Sequence, residues 1–392
     1  MMPNDHVSKS RGSCGRQTNK VARSIWRQMA VCHQTFENCL VNGWNPGILS
    51  SVLRSKEYGV KTRQYYLLAI LTALVLASHC LFAAPALLKT DIVPELFAPG
   101  VISTTMDETA GTFTPDGRSF YFVRRAAYTT TPAIAIICVS YLRDGKWGPA
   151  EVVPFSGTYL DSSPFVSPDG NRIYFASKRP TQGAPKAKDW NIFYVQHTES
   201  GWSDPSEIGS PINGPGNDTN PALTADGTIY FVSDRDGQPG QYHIYCSALK
   251  NGRYETPKKL GPEINAGEAD INPYIASDER ILVFASYRKD ALLAGGAQVA
   301  YPRADLYISV KRDGRWTQAR RLEHAINTTA AEGNPSISPD GKWFYFTSER
   351  SLFQVPVRPK LTTAEWEKHV TSIENGVGNV YRTAIESLDV SR

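Results

Sequence analysis

The sequence predicts an all-β protein, a single β-propeller of five four-stranded blades closed by an N-terminal strand that completes the last blade. Three observations carry this. One hairpin pattern is written five times, and its copies are spaced like propeller blades. The last copy also lacks a fourth strand, which the residues before the first copy resemble.

The clearest copy runs over residues 332–350. An alternating run leads into Ser338-Pro339-Asp340-Gly341, and a second apolar run leads out to Arg350. Pro339 fits the first corner of a type I turn, and Gly341 can take the left-handed conformation that follows it. In every copy an acidic residue stands eight positions before the turn Asp. These acids are Glu108, Asp161, Asp218, Asp270 and Glu332, at intervals of 53, 57, 52 and 62 residues. The turn residues are Asp116, Asp169, Asp226, Asp278 and Asp340. Four copies carry Pro five positions before that Asp, and the first has Gly111. Four carry Gly after it, and the fourth has Glu279. Arg179, Arg235, Arg288 and Arg350 close the second strand, with Arg124 and Arg125 in the looser first copy.

Each repeat continues to a third strand, expected at 133–140, 191–196, 242–248 and 305–310. A second tight turn then ends in an aromatic residue: Trp147, Trp202, Tyr254 or Trp316. Recurrence beside a turn once per blade points to packing between blades rather than to a sugar-stacking ladder. A fourth strand is expected to end near Ile212-Asn213, Ile264-Asn265 and Ile326-Asn327. The last repeat carries an insertion, 352–375, of partly helical character. After its third strand the chain stops. Pro94, Phe97, Pro99 and Val101 can be laid over Pro257, Leu260, Pro262 and Ile264, so residues near Phe97 are expected to close the ring.

Residues 1–59 hold eight Lys/Arg against three Asp/Glu and no clean periodicity. A positive segment with Lys61 and Arg63, an apolar run over 67–77 and Ala84-Pro85-Ala86 follow, which reads as a secretory signal over 60–86. Translation is therefore expected to begin at Val60, with 1–59 a non-native or disordered extension and 91–392 the propeller. The alternative is a membrane anchor made by the same segment. The chain carries +4, of which +7 lies in residues 1–86, leaving about −3 for the remainder. That balance argues against nucleic acid as a partner. Of six Cys only Cys138 and Cys246 fall in the repeats, on blades that are not neighbours, so both are expected to be free and buried.

The pattern acidic-x-x-Pro-x-x-Ser-x-Asp-Gly, followed by an apolar strand and Ser-x-Arg, resembles the WD40-like repeats of TolB-type periplasmic propellers. The resemblance covers about 92–392 and implies a propeller fold and export. TolB proteins have a further N-terminal domain with no counterpart here, so their partners do not carry over. Related propellers precede the catalytic domain of prolyl-oligopeptidase-like peptidases, but this chain has no Gly-x-Ser-x-Gly elbow.

In each hairpin the acid and the Arg return to one level, so Glu108, Asp161, Asp218, Asp270 and Glu332 should ring one face with Arg179, Arg235, Arg288 and Arg350. The favoured reading is a structural girdle. The sharper one is a ligand or metal site on the axis. The same face collects the long loops, where Lys186, Lys188, Trp190, Tyr301 and Arg303 are candidate binding residues. No His-Glu-x-x-His motif or phosphate-cradling Gly loop occurs, and the His residues lack metal spacing, so no metal or cofactor is expected. The resulting expectation is a monomeric, exported propeller that binds a protein or cell-envelope component, with no residue assigned a catalytic role. Its alternatives are a carbohydrate-active hydrolase or lyase on the same face, and a ligand-sensing domain.

Overall fold

In a computed structural model, five antiparallel sheets form one ring, with each inner strand paired outward to the next in chain order. The structure describes residues 93–126, 134–181, 189–288, 303–323, 325–352 and 359–390. The signal-like segment and the extension before it lie outside them.

The inner strands are Asp107–Phe113, Asp161–Val166, Asp218–Leu223, Asp270–Ile275 and Glu332–Ile337. Their partners are Ser119–Arg125, Arg172–Ser177, Ile229–Ser233, Ile281–Ser286 and Trp343–Ser348. Turn chemistry fixes each hairpin. The Ser338 hydroxyl donates to Asp340 at 2.6 Å, and the Lys342 N–H donates to the same oxygen at 3.1 Å. Thr114, Ser167 and Thr224 repeat that contact with Asp116, Asp169 and Asp226. The residue after the Asp sits at positive φ in every copy, which glycine adopts without strain. Glu279 is the exception (φ 60°), and its carboxylate accepts from Tyr230 at 2.6 Å and from Lys311 at 2.5 Å.

Every inner strand carries a bulge at one offset, two residues after its acid. Ala110, Ser163, Asn220, Asn272 and Asn334 there have φ of 49–56°, and the register slips by a residue. Asn tolerates this conformation better than most residues. Gly111 now has a cause. A Cβ on it would stand 2.0 Å from the Phe120 ring, so the proline of the other copies has no room.

The third strands are Ala135–Arg143, Asn191–Thr198, His243–Ser247, Asp305–Arg312 and Asn379–Ala384. The outer strands are shorter than expected. Glu151–Val152, Ser206–Glu207, Lys258–Lys259 and Arg320–Arg321 each pair over two residues, and the Ile-Asn pairs lie beyond them. The Asn takes over where backbone pairing stops. Asn213, Asn265 and Asn327 each accept from a third-strand N–H at 2.7–2.8 Å and donate back to the carbonyl of the same residue: Ile192, Ile244 and Leu306. A side-chain amide thus stands in for a peptide group.

Glu95–Leu96 is the outer strand of the fifth blade, with Leu96 opposite Tyr381. The Phe97 N–H continues the ladder to the Val380 carbonyl at 2.8 Å. Phe97 is buried against Phe113, Phe120, Trp147 and Tyr345, so it joins the fifth blade to the first. The turn aromatics also pack across blades. Trp202 meets Tyr121 of the preceding blade, and Trp316 meets Tyr230. In the insertion a helix, Thr363–Val370, begins at a capping box formed by Thr362 and Glu365. Cys138 and Cys246 are both free, but only Cys138 is buried as expected; Cys246 is half-buried.

Candidate functional site

The ring has two unlike ends. Each inner strand starts at its acid, on the loop-bearing face, and ends at its Asp turn, on the opposite one. At the loop-bearing end the five acids are buried and paired. Arg124–Glu108, Arg179–Asp161, Arg235–Asp218, Arg288–Asp270 and Arg350–Glu332 stand 2.9, 2.8, 2.7, 4.0 and 3.7 Å apart. Each Arg also donates to a carbonyl in the connection from the preceding blade: Val101, Phe155, Ile212, Ile264 or Ile326. The guanidinium lies against strand aromatics, as Arg235 does on Phe231 and Tyr245, and Arg350 on Phe346 and Tyr381. The acids therefore serve their own hairpin and the incoming loop.

Burial pushes the carboxyls of Glu108, Asp218, Asp270 and Glu332 upward, against the pull of their hydroxyl, backbone and Arg partners. A raised folded-state pKa binds protons longer than the unfolded chain does. Its stabilisation is complete below the ordinary carboxylate range and is lost as pH rises through the folded value. The stability advantage of the wild type over Glu332→Gln should therefore shrink as pH rises from about 4. Urea unfolding of both proteins at successive pH values checks this, and an advantage that grows with pH would contradict it.

Of the five predicted loop residues, two are described. Lys186, Lys188 and Tyr301 lie outside the described residues. Trp190 is half-buried. Its backbone N–H donates to the Asn217 side-chain oxygen at 3.2 Å, and Lys178 lies over its ring. Arg303 is exposed and donates to the Thr329 carbonyl at 3.3 Å. No described contact joins Trp190 to Arg303. Among the described residues no His, Cys, Asp and Glu group has metal-holding geometry, and no helix is long and apolar enough to cross a membrane.

Two features escaped the sequence reading. The first is on the loop-bearing face, at the seam between the fifth and first blades. Met106, Ile134, Leu352, Val370 and Trp366 are all exposed there. Asn375 joins Thr105, next to Met106, to Val370 by donating to their carbonyls at 3.2 and 3.1 Å, while Leu352 donates its N–H to the Glu374 carbonyl. Asp107, next to Met106, pairs with Arg125 at 2.8 Å, and Arg125 lies opposite Ala135 beside Ile134. The second is an axial cavity of about 310 Å³, lined by all five inner strands and opening toward the tight turns. The bulge residues line it, and a recurring Asn-Pro at one offset was the signal that could have found it.

The fold and the repeated acid–Arg hairpins define a five-bladed β-propeller. No family model matches the chain. Among curated proteins it is 25% identical to the uncharacterized peptidase YuxL of Bacillus subtilis (strain 168) over 206 residues, which is 48% of this chain and 29% of that protein. The chain thus spans under a third of that relative. Among solved structures it is similar to TolB from Acinetobacter baumannii, at 17% identity and a TM-score of 0.40, covering 71% of this chain and 54% of that one. It is also similar to the GH43 endo-arabinanase from Bacillus licheniformis, at 12% identity and a TM-score of 0.39, covering 70% and 93%.

Proposed function

We propose that the chain is an exported propeller that docks a protein of the cell envelope on its loop-bearing face, at the seam between its first and last blades. The exposed apolar group of Met106, Ile134, Leu352, Val370 and Trp366 carries this reading. Large apolar side chains clustered in one place and rimmed by charge are characteristic of a protein-binding surface. Asp107, Arg125, Glu349 and Arg303 supply the charged rim. The girdle carboxylates are occupied by their Arg, hydroxyl and backbone partners, so the girdle itself offers no free acid–base pair. The segment at 60–86 would deliver the domain across a membrane.

Trp366→Asp and Met106→Asp should each abolish capture of the partner from an envelope extract while leaving the melting temperature unchanged. Lys342→Glu, on the opposite face, should leave capture intact. Identical capture by all three variants would refute the assignment.

A further inference from the structure

The axial cavity contains polar groups that the fold does not use. Asn220 donates to Ser163 at 2.7 Å, which satisfies one side of the ring. On the other side, the side-chain amides of Asn272 and Asn334 have no hydrogen-bond partner among the described residues. Ser336, four residues after its girdle acid, lines the cavity, and its hydroxyl is buried and likewise unpartnered. Gly333 makes room for this arrangement, since a Cβ there would crowd the Asn272 amide oxygen at 3.0 Å. Leaving a buried hydroxyl unsatisfied has a cost that the hairpin's own geometry does not require. The equivalent residues of the second, third and fourth blades are Phe165, Ala222 and Tyr274, so the sheet accepts apolar or aromatic side chains at this position.

The lining also lacks charge. Among the described residues no Asp, Glu, Lys, Arg or His borders the cavity. A charged ligand would lose its hydration there without a counter-charge, and an apolar one would strand the amides. Phe113, Phe165 and Tyr274 supply flat apolar surface beside those amides. The volume lies near the lower end of ligand pockets, roughly 300–1,000 Å³. From these features we infer that the axial cavity is a binding site for a small, uncharged, hydroxyl-rich ligand of monosaccharide size. Hydroxyls would pair with Asn272, Asn334 and Ser336, and the ring skeleton would lie on the aromatic side chains. The absence of a carboxylate makes this a binding site rather than a hydrolytic one. It is at the opposite end of the ring from the proposed docking surface, so each stands or falls alone.

Titration calorimetry of the whole chain with D-glucose, L-arabinose and N-acetyl-D-glucosamine tests this, with D-glucuronate as the anionic counterpart. At least one neutral sugar should bind saturably, and glucuronate should not. Ser336→Ala and Asn334→Gly should each weaken that sugar by about three- to tenfold, the worth of one neutral hydrogen bond. Glycine keeps the positive φ of Asn334 available, and alanine removes only the orphan hydroxyl, so both variants should melt close to the wild-type temperature. The inference is overturned if none of the three neutral sugars binds, if glucuronate binds as well, or if both variants retain wild-type affinity.

Discussion

Arg235→Ala should cost about 3–5 kcal/mol of stability, because it strands the fully buried Asp218 carboxylate without its ion partner. The loss exceeds that of a surface ion pair. Arg235 also donates to Ser233, Pro211 and Ile212 and covers Phe231 and Tyr245. One side chain therefore holds the third hairpin, the loop entering it and part of the blade surface. Denaturant unfolding gives the number. Partner capture measured on the remaining folded protein should be unaffected. Unchanged stability with lost binding would turn the girdle into a ligand site.

The second large effect is expected at the seam. Phe97→Ala should destabilise the ring by about 3–5 kcal/mol, the range for deleting a buried aromatic side chain. Phe97 touches Phe113, Phe120 and Trp147 of the first blade and Tyr345 of the fifth, so its removal opens a cavity between the chain's two ends. Closure also removes a sheet edge. The variant should therefore show faster hydrogen exchange in Asn379–Ala384 than in the inner strands of the second and third blades. Uniform exchange throughout would mean that the seam is no weaker than any other blade junction.

These two sites also show how the sequence could be read. Arg235 and Asp218 are legible because a hairpin is local. An Asp-Gly turn fixes the register, and residues equidistant from it must meet. Phe97 is legible only by analogy, since it was placed by laying residues 94–101 over 257–264 of the third repeat. The outer strands were read too long because an Asn side chain and a peptide group offer the same donor and acceptor, and sequence does not distinguish them. Trp190 and Arg303 follow from the sequence only as loop residues of one face, because a repeat pattern fixes the face and not the partner of a loop side chain.

The repeated turns by themselves determined the number of blades, the hairpin register and the acid–Arg pairing, because each depends on contacts within about twenty residues. Tertiary structure decided the rest. Thr105, next to Met106, comes within reach of Asn375 only because the ring closes, and that hydrogen bond spans 270 residues. Ser336, Asn272 and Asn334 face a shared cavity only because five bulges point to one axis. Whether a hydroxyl or amide finds a partner there depends on the side chains of neighbouring blades, which no single repeat encodes.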